Sequence, residues 1–342
     1  MLKKRLTTLV FCLFGGVFIV AALYVLSFFE FNYGNGFIRK LPSHEIRGYG
    51  FIKTNGKSLY FAGGDTNTVY LGNWYRPAML LKIEVRTKDT LTLKITGVDT
   101  VKLHLGVFVR TSQKGISLLD GLKPIILSGD LATVRLTHVL KPQYFTAALA
   151  LGSDQYVLRV AKNGQKNILV KLDRQAVNGT YPLKQQGNGI FSTDGMMVSS
   201  PDKASIFYIY YYRNAFISLD SSLRLKYNGK TIDTVAHQQI NAITIKSAHQ
   251  RTLAAPPVMV NKHADANGKW LFIQSGIKAG NELSSVIEQS AIIDVYSEKD
   301  GKYHFSFYVD NFDHERMRDF RVYGQTLIAL YDHYLYFYHL NF

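Results

Sequence analysis

Residues 207–220 read FYIYYYRNAFISLD, where two runs of aromatic and branched residues are separated by Arg213 and Asn214. Aromatic and β-branched residues favour strands, and Asn is common in tight turns because it tolerates left-handed backbone geometry. The stretch therefore predicts a hairpin of strands 205–212 and 215–219. Both sets of alternating positions in 207–212 are apolar or aromatic, so we expect both faces of this sheet to be buried.

The hairpin is part of a longer block of short strands. A strand is predicted before it at 195–199 and, after an excursion, at 243–245. Residues 255–312 repeat the arrangement, with predicted strands at 258–261, 270–275, 291–297 and 303–309. Earlier boundaries near residues 48, 99 and 142 give blocks of similar length. Four strands in meander order per block are typical of propeller blades.

The last block contains only three predicted strands, at 320–323, 326–331 and 334–340. A ring of blades can be closed by a strand from the other end of the chain, and residues 37–46 are the candidate. Closure would remove the unpaired sheet edges that promote aggregation. We therefore predict an all-β fold, a six-bladed β-propeller, with five or seven blades possible. A pair of two-layer β-sandwiches is the alternative.

The first thirty residues predict a membrane anchor. Residues 6–29 contain no charged residue and follow Lys3, Lys4 and Arg5. About 20 apolar residues cross a bilayer, and basic residues stay on the cytoplasmic side. The predicted organisation is a cytoplasmic tail (1–5), a transmembrane signal anchor (6–29), a short linker (30–36) and an extracytoplasmic propeller (37–342). The only cysteine, Cys12, lies in the anchor, so the exported part has no disulfide.

Composition and motifs exclude several function classes. The net charge is +15, but no run of five Lys or Arg occurs, so we predict no nucleic-acid partner. The ten histidines show no metal-binding spacing, and no nucleophile elbow or nucleotide-binding loop is found. We therefore predict no cofactor, no metal and no catalytic residue. Residues 265–268 resemble part of a calcium loop but lack its later glutamate, and we interpret them as a hairpin turn.

The strings TDGMM (193–197), YYYRNAFISLD (210–220), TIDT (231–234) and DFRVYGQTLIALYDHYLYFYHL (319–340) carry a resemblance. With them the chain resembles an uncharacterised family of single-pass, propeller-like proteins of Bacteroidota, over most of residues 55–342. The resemblance implies a bacterial envelope location. It implies no particular chemistry.

Propeller topology groups five polar and aromatic residues. If strands A to D run outward from the axis, the B–C turns and the D-to-A crossovers emerge on the same face. Arg213 and Asn214 are then a B–C turn, Glu282 lies in the B–C loop of the next blade, and Asp194 lies in a crossover. The candidate ligand-binding residues are Asp194, Tyr212, Arg213, Asn214 and Glu282. A guanidinium, carboxylates and phenols suit a sugar, a peptide or an anionic group, although an arginine beside aromatic rings also often only stacks on them.

These features predict a membrane-tethered, extracytoplasmic binding or scaffold module of the bacterial inner membrane. Its partners would be the membrane and an envelope protein, peptide or glycan. Two alternatives stay open. One is an envelope hydrolase or lyase acting on glycan or peptide, because carboxylate pairs assembled across blades leave no linear spacing. The other is a basic surface that holds an anionic polymer.

Overall fold

The computed structural model describes residues 11–24, 36–43, 46–54, 56–98, 106–162, 166–174, 176–186, 190–237, 242–245, 250–253 and 257–342. Six antiparallel sheets of four strands, numbered here as blades, organise these residues. In each blade the strands are lettered A to D from the inside outward.

Blade 1 contains β2 (Leu59–Gly64), β3 (Thr68–Asn73), β4 (Met79–Glu84) and β5 (Thr90–Lys94). Blade 2 contains β6 (Phe108–Thr111), β7 (Gly115–Asp120), β8 (Ile125–Asp130) and β9 (Arg135–Leu140). Blade 3 contains β10 (Ala147–Gly152), β11 (Gln155–Lys162), β12 (Lys166–Asp173) and β13 (Ala176–Pro182). Blade 4 contains β14 (Gly195–Ser199), β15 (Ile206–Tyr210), β16 (Phe216–Leu219) and β17 (Leu225–Gly229).

Blade 5 contains β20 (Asn261–Ala266), β21 (Trp270–Ser275), β22 (Ser290–Ser297) and β23 (Tyr303–Asp310). Blade 6 contains β24 (Asp319–Tyr323), β25 (Thr326–Leu330), β26 (Tyr334–Leu340) and, from the start of the propeller, β1 (Ile46–Lys53). A separate two-stranded sheet joins β18 (Ala242–Ile245) to β19 (Gln250–Leu253). Helical structure beyond residue 45 is limited, in the described part, to a 3₁₀ turn at Ile190–Thr193 and a short helix, Ser284–Gln289.

The A strands form the inner ring. Each is packed beside the A strands of the two neighbouring blades, so that β2, β6, β10, β14, β20 and β24 follow one another and β24 returns to β2. The six-bladed propeller is therefore confirmed, and the pair of sandwiches is wrong.

The ring closes through the two ends of the propeller. Strand β1 pairs antiparallel with β26, from Ile46 opposite Leu340 to Lys53 opposite Tyr334. Closure by an N-terminal strand is as predicted, but the strand begins where the predicted segment 37–46 ends. Residues 36–40 instead form a strap against blade 5, where Gly280 N–H donates to Phe37 C=O (2.9 Å).

The hairpin that led to this fold is buried on both faces. Phe207 and Ile209 pack with Leu271 and Ile273 of blade 5. On the other face Tyr208 packs with residues of blade 3. Aromatic side chains on both faces of a sheet are thus explained by blades that stack face to face.

Two strands differ from the prediction. The D strand of blade 4 is β17 rather than 243–245, which lies in the separate sheet. Most of β17 is exposed, as suits an outermost strand, so it lacks an apolar pattern. The A strand of blade 5 is Asn261–Ala266 rather than 258–261, and its polar residues alternate with buried alanines. Asp265 consequently lies in a strand, and the predicted turn is confined to Asn267 and Gly268.

Residues 11–24 are helical. In the parts of the chain that the structure describes, no helix has both the length and the apolar character that a membrane crossing requires. Residues 6–10 and 25–29 of the predicted anchor, together with the predicted tail (1–5) and most of the predicted linker (30–36), lie outside the described residues. The anchor therefore stays a prediction.

Candidate functional site

The candidate residues lie at the predicted positions in the topology. Arg213 and Asn214 occupy the B–C turn between β15 and β16, and Tyr212 precedes them. Asp194 directly precedes β14, and Glu282 lies in the B–C loop between β21 and β22. All five thus belong to the face that carries the B–C turns and the crossovers, called here the crossover face.

Arg213 is almost completely buried, with 3% of its surface exposed. Its guanidinium carbon lies 3.8 Å from the centre of the Tyr210 ring, and Nη2 donates to Lys184 C=O (2.6 Å). Nε and Nη1 have no acceptor among the described residues. Arg213 thus stacks on an aromatic ring, as a structural arginine often does. Its two buried donor nitrogens without acceptors, however, normally reduce the stability of the folded state.

Tyr212 and Asn214 flank this arginine and are both half-buried. Asn214 ties the turn to the following crossover, because its Nδ2 donates to Asp233 C=O (2.7 Å) and its backbone N–H donates to Val235 C=O (2.8 Å). The Tyr212 ring lies 6.1 Å from the ring of Tyr211. Asn214 therefore has a structural role, while Tyr212 keeps part of its surface open.

Asp194 lies close to a cation. Its Oδ1 is 3.4 Å from Arg159 Nη1 and 3.4 Å from Asn167 Nδ2. Burial raises the pKa of Asp194, and the charge of Arg159 acts against that rise. Burial and then the charge of Asp194 raise the pKa of Tyr212. The charge of Asp194, just before the first strand of blade 4, therefore acts on the Tyr212 hydroxyl group.

Glu282 belongs to a different, buried network. Its carboxylate accepts from Ala279 N–H (2.6 Å) and Tyr308 Oη (2.9 Å) and pairs with Arg39 Nη1 of the strap. Both side chains of this ion pair are fully buried. Glu282 therefore shares the crossover face with Asp194 and Tyr212 but is engaged in fixing the strap.

A second group of charged residues surrounds the axis. We call it the axial cluster: Arg110 on β6, Asp265 on β20, and Asp319, Arg321 and Tyr323 on β24. All lie on A strands, and they alternate with residues buried between the blades. Three blades thus contribute to one polar site.

Specific contacts connect the axial cluster. Arg321 Nη1 lies 2.8 Å from Asp319 Oδ1, and its guanidinium carbon lies 5.2 Å from the Phe61 ring of blade 1. Arg110 Nη1 donates to Phe61 C=O (3.2 Å), and Val322 N–H donates to Asp265 Oδ2 (2.6 Å). The cluster is therefore held by blades 1, 2, 5 and 6 together.

The two carboxyl groups of the cluster differ in acidity. Burial raises the pKa of Asp265 to about 6, although Arg321 acts against this rise. Burial would also raise the pKa of Asp319, but the charge of Arg321 and then of His263, 3.2 Å away, outweighs it and holds this pKa well below its usual value. Burial lowers the pKa of Arg110. Asp319 is thus ionised near neutral pH, whereas the pKa of Asp265 lies slightly below neutral pH.

The axial cluster is accessible to water in part. The side chains of Asp319 and Arg321 are 18% and 24% exposed, and that of His263 is 39% exposed. Asp319 and His263 lie toward the start of their A strands, and A strands start at the crossover face. Asp319 and His263 therefore lie toward the crossover face.

Sequence reasoning missed the axial cluster, although a signal was present. Residues 319–323 read DFRVY, in which polar residues alternate with the core residues Phe320 and Val322. In an A strand, residues that do not face a neighbouring blade face the axis. The sequence predicts a turn at Asp265 because it predicts the preceding strand at 258–261, earlier in the chain than β20. Among the described residues, no group of three potential metal ligands occurs.

Comparisons with known proteins add only structural neighbours. No protein-family model and no curated protein matches the chain. Solved structures similar to it include a catalytically inactive variant of virginiamycin B lyase from Staphylococcus aureus with quinupristin, at 9% identity and TM-score 0.49 over 86% of this chain and 100% of that one. The Neurospora crassa Pan2 WD40 domain has 10% identity and TM-score 0.46 over 89% and 98% of the two chains. Kuenenia stuttgartiensis hydrazine synthase has 11% identity and TM-score 0.46 over 81% and 75%.

Proposed function

We propose that this chain is an extracytoplasmic binding module of the bacterial envelope, tethered to the inner membrane by residues 6–29. It would hold a peptide, a glycan or a protein partner at the mouth of the axis on the crossover face. The observation that carries the proposal is the axial cluster. In it, side chains of three blades bring positive and negative charges together at one partly exposed site.

The chemistry of the mouth suits a polar ligand with both donors and acceptors. Arg321 offers N–H groups in a planar fork, while Asp319 accepts hydrogen bonds. Tyr212 and Asp194 lie on the same face and widen the contact area toward blade 4. Glu282 is not among the proposed ligand contacts, because its buried carboxylate forms an ion pair with Arg39.

The tether is supported by the uncharged stretch 6–29 and by the strap that follows the linker. Phe37 and Arg39 are packed against blade 5, so the propeller would be held at a short, fixed distance from the membrane surface. A family resemblance to envelope proteins of Bacteroidota fits this location. Membrane fractionation of the full chain, with alkaline extraction to remove peripheral proteins, tests the tether. Release of the chain by alkali would contradict it.

Photo-crosslinking in cells tests the binding role. A photoreactive phenylalanine replaces Tyr212 on the crossover face or, as the control, Tyr49 on the outermost strand β1. We expect a discrete adduct from position 212 that is absent from position 49. The adduct should disappear when Asp319→Asn is added to a chain that still folds, as judged by circular dichroism. Equal adducts from both positions, or none from 212, would contradict the proposal.

One observation favours a second function, an envelope hydrolase or lyase. Two carboxyl groups at the axis, Asp265 and Asp319, have pKa values displaced in opposite directions, as paired acid and base groups of glycan-cleaving enzymes do. Asp265 would hold the proton that goes to the leaving group, and Asp319 would act as the ionised partner. Turnover of a panel of envelope glycans and peptides, lost in Asp265→Asn, would support this function. Absence of turnover in the intact chain would remove it.

A further inference from the structure

A groove on the opposite face, which carries the A–B and C–D turns, lies between blades 4 and 5. Its volume is about 520 Å³, within the range of small-ligand sites. The turn 200–205 of blade 4 forms one side, and residues 268–270 and 297–299 of blade 5 form the other. None of the residues that line this groove belongs to the axial cluster or to the five candidate residues on the crossover face.

The walls of the groove combine an aromatic surface with charges of both signs. Trp270 is packed edge-on against His304 at 4.6 Å, and Lys269 Nζ lies 4.7 Å from the centre of the indole. Lys226 Nζ donates to Ser205 Oγ (2.7 Å), and Lys299 is exposed at the rim. In the described part of the chain, none of these three lysines forms an ion pair with a carboxylate, although the charge of Lys226 acts on Asp202 and Glu298.

Glu298 is the buried carboxyl group of the groove and is firmly positioned. Only 6% of the residue is exposed, and Oε1 accepts from Gly268 N–H (2.7 Å). Its backbone C=O accepts from Tyr227 Oη (2.8 Å), and its backbone N–H donates to Lys269 C=O (3.1 Å). The second carboxylate, Asp202, is bound by the turn itself, through Ser200 Oγ and Ala204 N–H.

From this arrangement we propose that the groove binds an acidic saccharide that contains a uronate. A sugar ring would stack on Trp270, its carboxylate would lie among Lys226, Lys269 and Lys299, and its hydroxyl groups would donate to Glu298. A simple anion would contact the lysines alone and would use neither the aromatic surface of Trp270 nor the acceptor oxygens of Glu298. A neutral sugar would leave three ammonium groups unused.

Intrinsic fluorescence tests the proposal directly, because the chain has only two tryptophans, Trp74 and Trp270. In Trp74→Phe, the full chain reports on Trp270 alone. We expect titration with trigalacturonate to change this signal with saturation, and maltotriose or inorganic phosphate to change it at least about tenfold less. In Trp270→Phe the remaining Trp74, which lies in a B–C loop of blade 1, should not respond.

Charge variants complete the test. Lys269→Gln and Lys299→Gln should each weaken trigalacturonate binding by about threefold to tenfold, whereas Lys123→Gln, an exposed lysine in the B–C turn of blade 2, should leave it unchanged. An unresponsive Trp270, an equal response to maltotriose or phosphate, or equal loss in Lys123→Gln would overturn the proposal. None of these outcomes bears on the axial cluster.

Discussion

Arg39 forms a two-point ion pair with Asp294, although 255 residues separate them in the chain. Nε lies 2.7 Å from Oδ1 and Nη2 lies 3.2 Å from Oδ2, and Ser306 Oγ donates to the same Oδ1 at 2.6 Å. With Glu282 on Nη1, one buried guanidinium is shared by two carboxylates. The strap is thereby fixed to blade 5 just before the chain enters the closing strand β1.

Arg39→Ala should destabilise the full chain strongly. Removal of the guanidinium leaves Asp294 and Glu282 buried without a counter-charge, and breaking such a pair costs about 3–5 kcal/mol. Urea unfolding of wild type and variant measures the loss. Arg47→Ala is the matched control, because Arg47 is exposed on β1 and should change the free energy of unfolding by less than about 0.5 kcal/mol. Equal effects of the two substitutions would show that the network does not hold the strap.

Arg213→Met, by contrast, should change the stability of the chain little or increase it. Arg213 is as buried as Arg39, but no carboxylate pairs with it in the described residues, and two of its three guanidinium nitrogens, Nε and Nη1, lack acceptors. A methionine of similar length would keep an apolar contact with Tyr210 and remove the unsatisfied donors. We expect a change within about 1 kcal/mol, or a gain in stability.

The comparison of Arg213→Met with Arg39→Met, by the same urea unfolding, separates a paired buried arginine from an unpaired one. A loss above about 3 kcal/mol for Arg213→Met would mean that the arginine is required for folding. A stable variant that no longer gives the crosslink from position 212 would instead assign Arg213 to ligand binding.

Glu298→Gln should make the stability of the chain less dependent on pH between 5 and 8. Burial raises the pKa of Glu298 to about 7 from an ordinary value of 4.5. The folded state therefore holds this proton more tightly than the unfolded state, which stabilises it at low pH, and that contribution is lost as pH rises through 7. The free energy of unfolding of the variant, relative to that of wild type, should therefore be about 1–3 kcal/mol higher at pH 8 than at pH 5.

Urea unfolding at both pH values checks this expectation, with the exposed Glu288→Gln as control. Glutamine keeps an oxygen that can accept from Gly268 N–H, so the comparison isolates the charge. A difference between wild type and Glu298→Gln that is the same at pH 5 and pH 8 would contradict the assignment.

The sequence predicted the architecture better than the site, for a physical reason. Residues 207–220 must be buried on both faces, and only stacked sheets provide that, so the local pattern specified the blade. The ring closure followed from a missing strand. By contrast, β17 and β20 carry polar residues because they lie at the outer edge and at the axis, and their strand patterns are correspondingly weak.

Site residues were harder because their partners are remote in the chain. The topology placed Asp194, Tyr212, Arg213, Asn214 and Glu282 on one face, but nothing near Glu282 in the sequence indicates that Arg39 pairs with it. The axial cluster joins Arg110 to Asp319 across blades 2 and 6, and such convergence leaves no spacing to find. Only the alternation in residues 319–323 indicated that charged side chains face the axis.

Asp319→Asn should destabilise the chain near neutral pH and progressively less in acid. The charge of Arg321 and then of His263 outweighs burial and holds the pKa of Asp319 well below 3.8 in the folded state. A lowered carboxyl pKa stabilises the folded state above the unfolded pKa, and this stabilisation is lost as pH falls below it. At pH 7 the free energy of unfolding of the variant should therefore be lower by about 2 kcal/mol, less than for a fully buried pair, because the side chains of Asp319 and Arg321 are partly exposed.

At pH 3 the difference between wild type and Asp319→Asn should be clearly smaller. Chemical unfolding at a series of pH values measures it, with the exposed Asp89→Asn as the matched substitution. A loss that stays constant from pH 7 to pH 3 would mean that the Asp319 charge does not stabilise the axis.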